Sequence, residues 1–249
     1  VVANSDSVWI RDYGPRYIDN AGRRAIVDHV YNRPRPQDNA IPGVIAQQWN
    51  EPKFDLPLTH GGGNFHLFED GTAYMTSLIV NENPGLRAQQ IKDYYFAYQG
   101  LDLTITNPLP VSFDSTQHID MWMLPADNNQ VIINEYPNSG GVYTAPRQVA
   151  EEMAALLATR GKTVLRIGGW RANNSHYTYA NAVVLNRTVL TCRFNGYEVE
   201  NANAANVFQQ AFPNRQIVPV NCSSIISLAG AIHCIVMHVP AVLLRYGFE

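Results

Sequence analysis

The chain has 249 residues, a length that suits one domain or two and allows a core to be buried without disulfide bonds. Its 18 lysines and arginines and 21 aspartates and glutamates give a net charge of -3, which provides no basic surface for nucleic acid or anionic membrane. An apolar content of 46% argues against disorder, and no apolar run reaches the roughly 18 residues of a membrane span. We therefore expect a globular protein that has neither nucleic acid nor membrane as a partner.

Four hairpin signals follow one another along the chain. Asn, Asp and Gly, which suit tight turns, place the predicted turns near Asp19-Asn20, Asp70-Gly71, Asn128-Asn129 and Asn186-Arg187. Each hairpin is followed by a predicted helix and then by a short strand. The helices are predicted over residues 38–49, 85–100, 144–161 and 200–212.

The repeating unit is therefore strand, strand, helix, strand, and a fifth copy begins near residue 230. We predict an α/β fold, a five-bladed pseudo-symmetric α/β propeller that forms a single catalytic domain over residues 1–249, with an incomplete fifth blade. A closed ring leaves no free sheet edge. We therefore expect the missing part of that blade to lie N-terminal to Val1, either cleaved off or associated as a fragment. The alternative is an open ring.

The first strands of such blades line one central channel, so their side chains are candidate site residues. These residues are Trp9, Arg11, Asp12, Asn64, His118, Asp120, Asn181 and Cys234. His118 and Asp120 are two residues apart and would face the same way on a strand, whereas His233 would face away from the side that Cys234 faces.

A thiol, an imidazole and two carboxylates suit one reaction in particular. Thiolates are strong nucleophiles and histidine transfers protons. Carboxylates would oppose the oxyanion of a cysteine peptidase, but they pair with a planar guanidinium. Attack by Cys234 on the guanidinium carbon, with His118 protonating the leaving nitrogen, would release ammonia.

Five segments resemble one family: WIRDYGP (9–15), GGGN (61–64), QHIDMW (117–122), TYAN (178–181) and GAIHCI (230–235). In the same order, they are similar to motifs of the bacterial-type peptidylarginine deiminases, members of the guanidine-modifying pentein superfamily that also includes agmatine deiminases. The resemblance implies that Cys234 forms a covalent thiouronium, that His118 is the general acid and base, and that Asp12 and Asp120 bind the guanidinium. It also places Asn181 near His118 and makes Trp9 a wall of the substrate slot.

The substrate class is less sharply indicated. Agmatine deiminases normally carry Glu before the glycine pair, and His60 stands there in this chain. The segment YNRPRP (31–36) resembles the peptidyl enzymes, so Arg33 and Arg35 are expected to bind a peptide's carboxylate, while Ser115 departs from the tyrosine of that pattern. Asn64 is a further expected substrate contact. The main hypothesis is conversion of peptidyl-arginine to peptidyl-citrulline. The alternatives are deimination of a small guanidine such as agmatine or free arginine, and a propeller that binds without catalysis.

Three cysteines leave at least one thiol free, and in an oxidising compartment Cys192–Cys222 is the candidate bridge. Low lysine content and 23 asparagines hint at a secreted or extracytoplasmic protein. No histidine spacing indicates a transition metal, so no metal site and no cofactor are predicted. Acidic loops at Glu69-Asp70 or Asp127 could hold a structural calcium ion, although nothing in the sequence requires one.

Overall fold

The computed structural model describes residues 3–240, in which strands and helices alternate. The helices are α1 (Ile10–Tyr13), α2 (Pro36–Trp49), α3 (Leu78–Asn81), α4 (Ala88–Gln99), α5 (Thr144–Thr159) and α6 (Glu198–Ala211). The strands are β1 (Arg16–Asn20), β2 (Arg23–Tyr31), β3 (Lys53–His60), β4 (His66–Leu67), β5 (Thr72–Thr76), β6 (Asp102–Thr106), β7 (Met123–Pro125), β8 (Gln130–Glu135), β9 (Thr163–Ala172), β10 (Ser175–Thr178), β11 (Val183–Val184), β12 (Thr188–Arg193) and β13 (Gln216–Asn221).

The predicted strand, strand, helix, strand unit is confirmed four times. Each of four sheets begins with an antiparallel pair and adds a parallel strand after a helical crossover, in the orders β1-β2-β3, β4-β5-β6, β7-β8-β9 and β11-β12-β13. The third sheet gains β10 at the far side of β9. The four predicted hairpin turns all fall within one or two residues of the observed ones. The fold is α/β with mixed sheets, and closure into a ring of five blades stays a prediction.

The helices cover the sheets because their apolar residues recur at helical spacing. Ile91 and Tyr95 of α4 pack with Leu103 of β6, and Met153 and Leu157 of α5 pack over β8. Most of the buried apolar side chains fall into three such clusters. These layers leave the loops at one end of the sheets to build the site.

The start of the fifth unit is not the strand that the sequence predicts. The expected first strand is a tight 3-10 turn at His233–Ile235, closed by the bond from the Ile235 amide to the Ile232 carbonyl. Residues 236–240 belong to no strand, and the rest of the predicted strand lies outside the described residues. Asn181 accepts the His233 amide with its side chain, which fixes this turn in place of an extended pairing.

Cys192 and Cys222 form the predicted disulfide, which joins β12 to the loop after β13. Cys234 is buried and remains a free thiol. In the part of the chain from residue 3 to residue 240, no helix has both the length and the apolarity to cross a bilayer.

Candidate active site

Asp12, His118, Asp120, Asn181 and Cys234 come together, on short turns and loops and not on strands. Asp12 lies in α1, Asn64 in the turn Gly62–Asn64, and Asp120 in the turn Ile119–Met121 that follows His118. Asn181 lies between β10 and β11, and Cys234 in the turn His233–Ile235. The expectation of alternating strand faces therefore does not apply to any of these positions.

Gly63 marks the point where three of these side chains meet. A Cβ atom at Gly63 would lie 2.7 Å from His118 Nδ1, 2.9 Å from Asp12 Oδ1 and 3.1 Å from Asp120 Oδ2. Its amide donates to Asp12 Oδ1 at 3.0 Å, and the same oxygen lies 3.4 Å from His118 Nδ1. The glycine is therefore required by the close approach of an imidazole and two carboxylates.

Asp120 links this group to the thiol. Its Oδ2 accepts from Asn181 Nδ2 at 3.1 Å and lies 3.6 Å from Cys234 Sγ. Asn181 Nδ2 also lies 3.3 Å from Cys234 Sγ. All three residues are buried, so the structure brings a thiol, an amide and a carboxylate into direct contact.

His233 contacts the site, contrary to the prediction that it faces away. Because its backbone is in a 3-10 turn, its Nδ1 reaches Asp120 Oδ2 at 2.6 Å. Its carbonyl accepts from Arg11 Nε at 3.3 Å, so Arg11 supports the turn from behind. The only sequence signal for His233 is its position next to Cys234. The prediction discounted that signal because neighbouring residues of a strand face opposite sides.

The electrostatics of the site favour a cation. Burial raises the pKa of Asp12 and of Asp120, and the charge of His118 lowers both in part. Burial raises the pKa of the Cys234 thiol well above its usual value, and the charges of Asp120 and Asp12 raise it further. Burial therefore disfavours the ionised forms of the two carboxylates and of the thiol. A bound cation would favour those ionised forms again.

Trp9 forms a wall beside the thiol. A Cβ atom on Gly230 would lie 2.6 Å from the Trp9 ring and 3.3 Å from Cys234 Cβ, so the ring packs against this glycine next to the nucleophile candidate. Asn64 is placed differently from the prediction. Its side-chain oxygen accepts from the Thr76 amide at 2.9 Å and its amide donates to the Thr76 carbonyl at 3.4 Å. Asn64 therefore holds the glycine turn against β5.

The segment that carries Arg33 and Arg35 contains a turn and is not extended throughout. The Arg35 amide donates to the Arg33 carbonyl at 2.8 Å, which makes a turn, and the Arg35 guanidinium donates to Tyr31 Oη at 3.1 Å. Arg33 is exposed, and its charge acts on Asp12. Ser115 is exposed on the loop before His118. Among residues 3–240, no group of three or more His, Cys, Asp or Glu side chains could hold a metal ion.

Comparison with known proteins identifies the family of this chain. The model of the Porphyromonas-type peptidyl-arginine deiminase family matches residues 1–240. A Streptomyces avermitilis protein named "Putative agmatine deiminase" is 25% identical over 264 residues, covering 94% of this chain and 75% of that protein.

Two solved structures share the fold. The "Putative Arginine Deiminase from Porphyromonas gingivalis" gives a TM-score of 0.86 at 22% identity, covering 97% of this chain and 77% of that one. An agmatine deiminase from C. jejuni with substrate bound gives 0.82 at 20% identity, covering 94% and 74%.

The α/β fold and the matched sequence define a guanidine-group deiminase of the pentein superfamily, a hydrolase that acts on C–N bonds of amidines. The chain belongs to the Porphyromonas-type peptidyl-arginine deiminase family.

Proposed function

We propose that this deiminase hydrolyses the guanidinium group of a small molecule of the agmatine type, with Cys234 as the nucleophile. The observation that carries the chemistry is the convergence at Gly63, where Asp12, Asp120 and His118 lie within about 3 Å of one point. A planar guanidinium presents N–H donors to both carboxylates and places its carbon near the thiol. Asn181 orients both Asp120 and Cys234.

Substrate charge then activates the nucleophile. Burial and the two carboxylates raise the pKa of Cys234 in the free protein, so the thiol is neutral before substrate arrives. A guanidinium bound between Asp12 and Asp120 neutralises the charges that oppose the thiolate. This mode is favoured over a thiolate that pre-exists in the free enzyme, because nothing in the geometry lowers the thiol pKa enough to offset burial.

The reaction proceeds in two steps. Once the guanidinium is bound, the Cys234 thiol passes its proton to the His118 imidazole, and the thiolate attacks the guanidinium carbon to form a C–S bond. The C–N bond breaks as the His118 imidazolium protonates the departing nitrogen, and ammonia leaves a thiouronium on the enzyme. His118 then takes a proton from water, the hydroxide adds to the same carbon, and the C–S bond breaks. The added oxygen loses its remaining proton to solvent, which gives the ureido product, and the His118 imidazolium returns its proton to the Cys234 thiolate, so that the thiol and the imidazole are restored.

The small-molecule substrate is supported by relatives that are named agmatine deiminase and align with most of this chain. A second candidate, peptidyl-arginine, is supported by Arg33, an exposed cation near Asp12 that could meet a peptide's carboxylate, and by the family model. Both candidates use the same reacting centre, so they differ only in the tail that follows the guanidinium.

The experiment is an assay of ammonia and ureido product on agmatine, free arginine, and peptides with an internal or a C-terminal arginine. We expect turnover of agmatine and none by Cys234→Ala. Because Cys192 and Cys222 form the disulfide, neither can serve as a control, and the melting temperature of Cys234→Ala shows instead that this variant keeps the fold. Activity retained by Cys234→Ala would reject the nucleophile, whereas turnover of arginine peptides without turnover of agmatine would favour the second candidate.

A further inference from the structure

One carboxylate beside the site is unused by the reaction just described. Glu82 follows α3, and its Oε1 accepts a hydrogen bond from Asn32 Nδ2. Its Oε2 is buried and has no hydrogen-bond partner among residues 3–240, and the same holds for Asn32 Oδ1 and His118 Nε2. Buried polar atoms are normally paired, so these three unpaired atoms in one region are available for hydrogen bonds to a polar ligand.

The side chain of Asn32 lies between Glu82 and His118. A Cβ atom on Gly61 would lie 2.8 Å from His118 Cε1 and 3.5 Å from Asn32 Nδ2, so the imidazole and the Asn32 amide flank the same glycine. Asn32 then donates to Glu82. Burial raises the pKa of Glu82, while the charges of His118 and Arg33 lower it in part, which agrees with a carboxylate that faces the site.

The position of Glu82 is fixed by its neighbour. Asn83 donates to the carbonyls of Thr59 and Ile79 at 2.8 and 2.7 Å, and it accepts from the Thr59 amide at 2.9 Å. These bonds tie the end of α3 to β3, which leads directly into the glycine turn under His118. The backbone beside Glu82 is therefore fixed relative to the strand that leads into the glycine turn, and a specificity residue needs such support.

We propose that Glu82, oriented by Asn32, selects substrates that carry an ammonium group on the tail beyond the guanidinium. This deepens the proposed function and rests on it. An ionised carboxylate offers only acceptors, and an ammonium offers three donors and the opposite charge. The unpaired Oε2 supplies the acceptor, and Asp12 is close enough for its charge to act on Glu82. The substrate class is an alkyl guanidine that ends in an amine.

The test compares two substrates that differ only in the tail. Agmatine carries the ammonium, and pentylguanidine carries a methyl group in its place. Glu82→Gln keeps the shape and the bond from Asn32 while removing the charge, and Glu69→Gln makes the same change at an exposed turn residue. We expect Glu82→Gln to lower kcat/KM for agmatine about 10- to 100-fold with little change for pentylguanidine, and Glu69→Gln to change neither.

Two outcomes would overturn the proposal. One is an equal loss on both substrates, which would make Glu82 a positioning residue. The other is a wild-type protein that does not prefer agmatine to pentylguanidine. Calorimetric binding of both compounds to Cys234→Ala and to Cys234→Ala with Glu82→Gln gives a readout without turnover. If Cys234→Ala prefers agmatine and the double variant does not, the role of Glu82 is supported even where deimination fails. If Cys234→Ala shows no preference, the role of Glu82 is rejected, whatever the outcome for the reaction.

Discussion

Substitution of Gly63 by alanine perturbs the centre of the site by a single methyl group. Gly63 has no positive φ, so alanine meets no backbone strain, and the whole effect comes from space. The new Cβ would lie 2.7 Å from His118 Nδ1, so the imidazole must retreat by about 0.7 Å to reach the 3.4 Å of an ordinary contact. Misplacing a reacting group by about 1 Å can cost about 100-fold, so we expect kcat to fall about 10- to 100-fold. Overpacking would also cost about 1–3 kcal/mol of stability.

Steady-state release of ammonia and a thermal melt measure these two effects. The matched control is Gly168→Ala, since a Cβ at that position in β9 meets nothing within 4 Å. Gly168→Ala should keep both kcat and the melting temperature. A Gly63→Ala protein with kcat within twofold of wild type would refute the reasoning, because it would mean that the contacts of His118, Asp12 and Asp120 at this point do not set the reacting geometry.

Two further predictions concern ionisation. A pH titration followed by thiolate absorbance should give Cys234 of the free protein a pKa well above that of an ordinary thiol. Added guanidinium ion should lower that pKa. The same titration midpoint with and without guanidinium ion would exclude substrate-assisted activation. Burial lowers the pKa of His66 to about 3, and its Nε2 bonds the Met123 carbonyl, which Gln can also do. The unfolded state then binds a proton below about pH 6.5 that the folded state refuses. The stability that wild type gains over His66→Gln should therefore be complete above about pH 6.5 and shrink by up to about 1.4 kcal/mol per pH unit towards pH 3. Urea titrations at pH 7, 5.5 and 4.5 measure this difference, and a constant value would contradict the assigned pKa.

The strand, strand, helix, strand repeat was predictable because short-range sequence patterns mark its turns and helix ends. Turn residues such as Asp70-Gly71 and the αL glycine Gly100 at the end of α4 act within a few residues, so each hairpin and each helix could be found separately. The parallel strand after each helix follows from the short connections. Closure of the units into a ring depends on contacts between units, and local signals do not determine it.

The predicted site residues were reached through motifs, but their geometry was not predictable from strand alternation. Asp120 and His118 meet because a 3-10 turn follows His118, and His233 reaches Asp120 because Cys234 also lies on such a turn. Turns of three residues leave no periodic pattern in a sequence. Glu82 was missed for a related reason: its approach to His118 passes through Asn32, on a loop 50 residues earlier in the chain.

The same contacts explain why the site is electrostatically unfavourable when empty. Asp12, Asp120 and Cys234 are all desolvated, and each carboxylate raises the pKa of the thiol. If these buried acidic groups served stability alone, we would expect more positive charge beside them than His118 and Arg11 provide. In the proposed function a guanidinium supplies the missing charge and donors at once, so that binding the substrate and ionising Cys234 would be one event. A deiminase built in this way keeps its thiol protonated, and hence less reactive towards other electrophiles, until a cation of the right shape is bound.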